Sequence, residues 1–294
     1  MAKTYEALMK AQREHVARKK EAIPPEPLLE PRATEPKEKA PDEKPPERKT
    51  KEAVERPPVH HERIVTRVSV GSFIAKQDSV FAEQFRKLKS AITVHNIAAS
   101  LRSILVTSCM AGEGKTTVAL NLAATIAQGL DDSVVLIEGD LRRRNLTSLF
   151  ELQNTPGLSD VLEGRATIEE VIITTEINGL IIVPAGSNAW NPAELAGSVR
   201  MKTFIRQLGE KYRDSYIIID SPPIVSASEA NVLSQIVDGI IVVILADKTR
   251  RDMVKRELRT INSEKILGVV LNCAQFEISD YYQKYQKPPR KERA

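Results

Sequence analysis

Six short apolar segments recur through the sequence, and they constrain the fold more than any other feature. They are rich in β-branched residues and apolar at successive positions, which is typical of strands covered on both faces in a parallel sheet. Helix-like segments alternate with them, so the pattern predicts an α/β fold with a doubly wound, mainly parallel sheet flanked by helices. The strand candidates are 103–107, 133–138, 180–184, 216–220, 240–245 and 266–271, and the helix candidates are 115–128, 167–173, 193–208, 228–236 and 250–262.

The composition changes sharply before this alternation begins. All 13 glycines lie from Gly71 onward, whereas ten of the 17 prolines lie within residues 24–58. A stretch rich in Pro, Glu and Lys buries too little apolar surface to offset its ordering entropy, so we predict a disordered N-terminal arm. For the first segment, a frayed helix and a docking helix for a partner both stay open. The predicted order is a possible docking helix, a disordered linker, a folded domain and a flexible, basic, tyrosine-containing tail, over residues 1–22, 23–62, 63–278 and 279–294.

Charge and cysteine content exclude several classes of protein. A net charge of +4 is too small to indicate nucleic-acid binding, and the two cysteines provide no disulfide framework, which suits a reducing compartment. No apolar run approaches the ~18 residues of a membrane span, and no signal peptide opens the chain. We therefore expect a cytoplasmic protein that reaches a membrane only through a partner or a surface patch.

A glycine-rich turn between the first predicted strand and the next helix has the pattern of a phosphate-binding loop. The sequence SCMAGEGKTT fits G-x-x-x-x-G-K-[ST], except that Cys109 replaces the first glycine. Backbone N–H groups and a helix N-terminus in this context bind phosphates. Lys115 would reach the outer phosphates, and the Thr116 hydroxyl would ligate magnesium. The residues predicted to bind the nucleotide here are Ala111, Gly112, Glu113, Gly114, Lys115, Thr116 and Thr117.

Three acidic residues follow two other predicted strands at the same edge of the sheet. Glu138 and Asp140 lie at the end of the second strand, and Asp220 ends the fourth. Ligands of open α/β sheets bind at this edge, where a carboxylate can hold magnesium or take a proton. Strand alternation is expected to direct Glu138 and Asp140 to the same side. We predict Thr116, Asp140 and Asp220 as metal ligands and Lys115, Glu138, Asp140 and Asp220 as the catalytic group.

These motifs together resemble the deviant-Walker P-loop ATPases, and within them the bacterial tyrosine autokinases (BY-kinases) most closely. The loop of those kinases ends in G-E-G-K-[ST] and lacks the first glycine. Further similar runs are PGLSDVLEG at 156–164, LIIVPAGSNAWNPAEL at 180–195 and the segment 217–252, so the resemblance spans about residues 78–285. It implies a kinase that uses ATP and Mg²⁺ to phosphorylate tyrosines on the tail of a neighbouring copy, in capsule or exopolysaccharide synthesis and export.

The resemblance also implies roles for single residues. It favours the first acid, Glu138, as the base, although the residues alone leave Glu138 and Asp140 open. It implies that Asn272, at the end of the sixth strand, faces the adenine. The implied phosphoacceptors lie in the tail sequence DYYQKYQ and are Tyr281, Tyr282 and Tyr285.

A helix predicted over residues 78–92 carries the motif E-x-x-R-x-x-R, which the family uses for oligomerisation. Here the motif reads Glu83, Arg86 and Lys89, and the final lysine lacks the bidentate fork of arginine. The resemblance implies a homo-oligomer, whereas an exposed i, i+3 charge pair is the structural alternative. Asp78 or Ser79 is expected to cap this helix.

The family works beside a membrane-embedded regulator of polysaccharide chain length, either fused or separate. Since this chain shows no membrane span, we expect a separate regulator that recruits it to the inner face of the membrane. Two other functions stay open. One is a partition- or division-type ATPase switch, although Met110 stands where division-site ATPases carry a lysine. The other is a non-catalytic nucleotide-binding scaffold, since Glu138 replaces the family's aspartate.

Overall fold

The computed structural model describes residues 67–77, 79–99, 101–129 and 133–274. The predicted docking helix, linker and tail lie outside these residues, as does Asp78. The predictions made for them, including the three tail tyrosines, are therefore not tested by the structure.

In the described part of the chain, eight strands form a single sheet. Its order is β1-β4-β5-β3-β6-β2-β7-β8, and every neighbouring pair is parallel except β4 and β5. The strands are β1 (Arg67–Val68), β2 (Ser103–Ser108), β3 (Ser133–Glu138), β4 (Ile173–Thr175), β5 (Leu180–Val183), β6 (Ser215–Asp220), β7 (Gly239–Leu245) and β8 (Ile266–Asn272). The predicted α/β fold with a mainly parallel sheet is confirmed.

Helices cover both faces of this sheet and enclose two apolar cores. One core packs α1 and α2 against the sheet, and the other packs α4 to α8 against the opposite face. Successive residues of β2 show the division, since Ile104 and Val106 enter the first core and Leu105 enters the second. The α-helices are α1 (Val80–Ala99), α2 (Lys115–Ala127), α3 (Asn145–Leu149), α4 (Leu158–Glu163), α5 (Pro192–Gly197), α6 (Val199–Lys211), α7 (Ser228–Ile236) and α8 (Arg251–Glu257).

Two predicted helices differ from the structure. The helix expected over 167–173 is wrong, because this segment forms a 3-10 turn at Glu169–Val171 and then enters β4. The Thr167 backbone N–H and hydroxyl do donate to Glu170, at 2.7 and 3.0 Å, so the capping contact forms without an α-helix. The helix expected over 193–208 is divided at Ser198, whose extended backbone ends α5 and whose hydroxyl accepts from Met201 N to cap α6.

Candidate nucleotide and phosphoacceptor site

The predicted phosphate loop joins β2 to α2 and places its backbone at the carboxyl edge of the sheet. Gly112 and Gly114 have φ angles of 84° and 86°, in the left-handed region that favours glycine. A Cβ at Gly114 would also collide with the Asn272 amide. Cys109 is fully buried at the start of the loop, and burial raises the pKa of its thiol to about 11, which keeps it protonated.

The Glu113 side chain shapes this loop from within. Its carboxylate is buried and accepts from Met110 N at 2.7 Å. The same carboxylate accepts from the Thr249 hydroxyl and from Leu245 N, so it ties the loop to the end of β7. The side chain of Glu113 thus has a structural role that the sequence did not indicate, and it leaves the backbone N–H of this residue for a ligand.

Asn272 lies against the same loop at the end of β8. Its Nδ2 donates to the Glu113 carbonyl at 2.9 Å, and its Oδ1 accepts from Cys273 N at 3.0 Å. These contacts position the loop. The adenine contact that the family implies for Asn272 stays a prediction.

Lys115, Asp140 and Asp220 form a buried charged cluster at the start of α2. Lys115 Nζ lies 3.4 Å from Asp140 Oδ2, and both side chains are almost fully buried. Asp220 is fully buried, and neither of its carboxylate oxygens accepts a hydrogen bond in the described part of the chain. Burial raises the pKa of Asp220 to about 7, against the opposing effects of Lys115 and the Thr116 hydroxyl. A buried carboxylate of this kind is suited to bind a cation or a proton.

The donor set of this cluster fits magnesium. Asp140 Oδ2 is a third buried oxygen without a hydrogen-bond partner among the described residues, and the half-buried Thr116 begins the same helix. Magnesium is usually held by one or two carboxylates together with substrate phosphates. The described residues contain no group of three His, Cys, Asp or Glu side chains that could hold a metal alone. The cluster is therefore of the kind that the phosphates of a nucleotide complete.

Glu138 is placed quite differently from Asp140. Its carboxylate is fully buried and accepts from Leu146 N at 2.6 Å, Thr147 N at 2.9 Å and Ala185 N at 3.2 Å, as well as from the Thr147 hydroxyl. Burial raises the pKa of Glu138, and these hydrogen bonds oppose the rise. The side chain thus caps the N-terminus of α3 and holds the loop after β5.

The two acids of the E-G-D motif therefore do not act from the same position. β3 ends at Glu138, and Gly139 N donates to the Asp220 carbonyl at 2.7 Å, so the strand alternation does not extend to Asp140. Asp140 turns to Lys115, while Glu138 is enclosed by backbone donors. This geometry gives no support to Glu138 as the base.

The loop after β5 is fixed by Asp160 of α4. Asp160 Oδ2 accepts from Gly157 N and Ser187 N, both at 2.9 Å, and Arg165 pairs with the other oxygen at 2.8 Å. Burial favours a higher pKa for Asp160, but these donors outweigh it and lower the pKa below its usual value. The backbones of Gly157 and Gly186 touch, which leaves no room for a side chain at either residue. The two family-like runs PGLSD and PAGS thereby form one structural unit beside the cluster.

The oligomerisation motif on α1 makes contacts within its own chain. Arg86 donates from Nε to Glu83 at 2.8 Å and from both Nη atoms to the Gln77 carbonyl. Lys89 Nζ donates to the Ile126 carbonyl, in the last turn of α2, at 3.4 Å. The structure thus shows how the motif is held, and its role in self-association stays a prediction.

Comparison with known proteins agrees with this architecture. A family model described as an AAA domain matches residues 101–265. Together with the loop geometry, this match defines a P-loop nucleotide-binding domain.

Comparison with individual proteins gives relatives that are tyrosine kinases. The sequence is 32% identical over 212 residues to the putative tyrosine-protein kinase CapB of Staphylococcus aureus, over 71% of this chain and 92% of CapB. It is 34% identical over 197 residues to the tyrosine-protein kinase YwqD of Bacillus subtilis, over 66% of this chain and 81% of YwqD. The crystal structure of the chimerical protein CapA2B2 superposes with a TM-score of 0.64 at 30% identity, over 72% of this chain and 95% of that one.

The chain belongs to the bacterial tyrosine kinases. The family resemblance found in its motifs is confirmed, and the partition-type ATPase and the non-catalytic scaffold are not favoured by these relatives. Among the described residues, no helix combines the length and apolarity that a membrane span requires.

Proposed function

We propose that this kinase transfers the γ-phosphoryl group of ATP to tyrosines in the tail of a neighbouring copy and thereby regulates capsule or exopolysaccharide synthesis and export. The observation that carries the proposal is the buried cluster of Lys115, Asp140 and Asp220 at the N-terminus of the phosphate-loop helix. Three of its four carboxylate oxygens lack hydrogen-bond partners in the described structure, and this arrangement is unfavourable unless a ligand completes it.

Each residue of the site has a distinct task in this proposal. The loop N–H groups from Ala111 to Thr117 bind the phosphates, and Lys115 neutralises charge that develops on the transferred group. Thr116, Asp140 and Asp220 hold Mg²⁺, which when bound would neutralise phosphate charge. Asp140, which already accepts from Arg143 N at 3.1 Å, also takes the acceptor proton. Glu138 holds the surrounding loops and does not take part in proton transfer.

We propose Tyr281, Tyr282 and Tyr285 as the acceptors. Two other tyrosines belong to the described fold. The Tyr216 hydroxyl accepts from Asn96 Nδ2 at 2.8 Å within strand β6, and burial raises the pKa of Tyr212. These two hydroxyls are less suited to enter an active site, which favours the other tyrosines of the sequence as acceptors.

The remaining parts of the proposal concern assembly. We propose that residues 63–278 form the kinase domain, that Glu83, Arg86 and Lys89 mediate a homo-oligomer and that a separate membrane-embedded chain-length regulator recruits the kinase to the inner face of the membrane. Membership of the kinase family supports these assignments. Co-purification of the kinase with membranes, in cells with and without the regulator, tests the recruitment.

The catalytic proposal is tested by replacing Lys115. Lys115→Met should remove phosphotyrosine from the purified protein and weaken ATP binding, while circular dichroism shows an intact fold. Lys202→Met, on the exposed side of α6, is the matched control and should behave as wild type. Unchanged phosphotyrosine in Lys115→Met would overturn the site assignment.

A further inference from the structure

An arginine two residues beyond Asp140 is anchored in an unusual way. Arg142 Nε donates to Glu229 Oε1 at 2.7 Å, and Glu229 is 2% exposed in the first turn of α7. The Arg142 side chain is 53% exposed, and its Nη groups donate no hydrogen bond to the described residues. A buried carboxylate thus fixes the inner edge of the guanidinium and leaves the outer fork in solvent beside the catalytic cluster.

The second oxygen of Glu229 strengthens this interpretation. Glu229 Oε2 is buried and has no hydrogen-bond partner in the described part of the chain. Burying a carboxylate whose only partner is a half-exposed arginine is a poor way to gain stability. The arrangement is better explained by what it does to Arg142, since it gives a long side chain a fixed direction.

The segment that follows Arg142 is basic, and it contacts the loop after β5, which carries an exposed aromatic side chain. Arg143 is exposed, and Arg144 Nη1 donates to Asn188 Oδ1 at 2.6 Å, which holds the loop after β5. Two residues along that loop, Trp190 is 98% exposed. We call Arg142, Arg143 and Trp190 the acceptor surface. An indole exposed to this degree next to a basic cluster is typical of a peptide-binding surface.

The helix that anchors Arg142 and the helix that follows the phosphate loop cover opposite faces of the sheet, although Cys109 of the loop itself lies in the core of α7. α7, which carries Glu229, packs in the core opposite the one that contains α2. Lys115 and the loop backbone already serve the phosphates from the α2 side. Because the proposed function already assigns the phosphates to Lys115 and the loop N–H groups, the outer fork of Arg142 is left for the segment that brings the acceptor hydroxyl.

We infer that Arg142, oriented by Glu229, selects acceptor tyrosines preceded by acidic residues, and that its occupant is the tail of a second copy of this chain. The tail reads FEISDYYQKY, with Glu277 and Asp280 before Tyr281. The guanidinium fork binds a carboxylate through two parallel hydrogen bonds, and Trp190 offers an apolar surface to the adjacent rings. Arg142 is thus a specificity residue, and Glu229 is a positioning residue. The inference rests on the proposed tyrosine kinase function.

Two peptides test this inference. One has the sequence FEISDYYQKY, and the other has Gln and Asn in place of its Glu and Asp. For wild type we expect the acidic peptide to have a KM about tenfold lower, the effect of a charge-assisted hydrogen bond at a partly exposed site. Arg142→Ala should abolish the preference with an unchanged KM for ATP, and Arg142→Lys should retain part of it. Glu229→Gln should reduce the preference, although the guanidinium is still present.

A control and a binding assay complete the experiment. Arg206→Ala removes an arginine of similar exposure on α6, paired with Glu210, and should keep the full preference. Fluorescence anisotropy of the two labelled peptides measures the binding preference without catalysis. If the protein has no kinase activity, the proposed function is refuted, but the binding preference still tests this inference. Equal affinity of wild type for both peptides would overturn the inference. An undiminished preference in Arg142→Ala, or a loss of ATP affinity equal to the loss of peptide affinity, would do so as well.

Discussion

At the scale of single residues, Asp220 shows how function opposes stability in this fold. It ends a central strand, where the sheet and its helices exclude water, and neither of its carboxylate oxygens completes a hydrogen bond among the described residues, although the nearby Thr116 hydroxyl opposes the rise in its pKa. Burial raises its pKa to about 7. An Asp whose pKa is higher in the folded than in the unfolded state destabilises the fold as it ionises. The free-energy cost of ionising the buried Asp220 is offset when a cation or a phosphate-bound metal is present.

This argument predicts that Asp220→Asn stabilises the protein that lacks nucleotide and magnesium. In EDTA at pH 8 the gain should be on the order of 4 kcal/mol, because the folded-state pKa of about 7 lies well above the ordinary value of 3.8. The gain should shrink as the pH falls through 7 and vanish below 3.8, where the wild-type carboxyl is protonated in both states. Urea unfolding at several pH values measures it, with Ser226→Ala in the nearby 3-10 turn as a control. A variant less stable than wild type at pH 8 would contradict the account.

At the scale of elements, Glu138 connects three segments that are distant in sequence. Its carboxylate joins the end of β3 to the start of α3 and to the loop after β5. A helix of five residues has little stability of its own, so the cap contributes a large share of what holds α3 in place.

We therefore predict that Glu138→Gln lowers the free energy of unfolding by about 1–3 kcal/mol, because the amide nitrogen that replaces one carboxylate oxygen cannot accept from the backbone N–H group that it faces, Leu146 N or Thr147 N. Phosphotyrosine formation should fall only partly, in contrast to Asp140→Asn, which should abolish it. Thermal unfolding and a phosphotyrosine blot of the two variants measure both effects. Complete loss of kinase activity in Glu138→Gln at wild-type stability would instead restore Glu138 as the base.

The elements also differ in how well they could be predicted from the sequence. The central strands were predictable because burial on both faces makes them continuously apolar, and the phosphate loop and Asp140 and Asp220 were predictable because strand ends converge at one edge. The antiparallel β4 and the short α3 were not, since neither is long enough to show a period. The donors to Glu138 come from residues 146, 147 and 185, and no local pattern indicates that they meet there. The pairing of Arg142 with Glu229, 87 positions apart, is hidden for the same reason.

At the scale of the whole molecule, the sheet separates two proposed surfaces. The face covered by α1 and α2 carries the proposed oligomerisation motif, and the face covered by α4 to α8 carries Glu229 and the loop of Trp190, while the phosphate loop lies at the carboxyl edge of the sheet. Self-association through α1 would leave the acceptor surface open to a tail from another copy. Arg86 is already oriented by Glu83 and the Gln77 carbonyl, so little side-chain entropy is lost when a partner binds it.

We predict that Glu83→Ala/Arg86→Ala shifts the chain to a smaller assembly at micromolar concentration. The double variant should also lose most phosphotyrosine, because transfer requires a neighbour, while nucleotide binding is retained. Light scattering with a parallel nucleotide-binding assay measures this. Arg206→Ala/Glu210→Ala, an exposed pair of the same type on α6, is the matched control. An identical mass for wild type and the double variant would exclude α1 as the interface.

Phosphoryl transfer from one copy to the tail of another can be tested with a mixture of two variants, one without a working site and one without tail tyrosines. One is a tagged Lys115→Met chain, which keeps its tail tyrosines, and the other is an untagged chain with a wild-type site and Phe at 281, 282 and 285. After incubation with magnesium and ATP, mass spectrometry locates phosphate on the tagged chain. We expect phosphate on Tyr281, Tyr282 and Tyr285 of the tagged chain in the mixture, and none when either chain is incubated alone. A tagged chain that stays unphosphorylated in the mixture, while unmodified protein phosphorylates itself, would contradict transfer between copies.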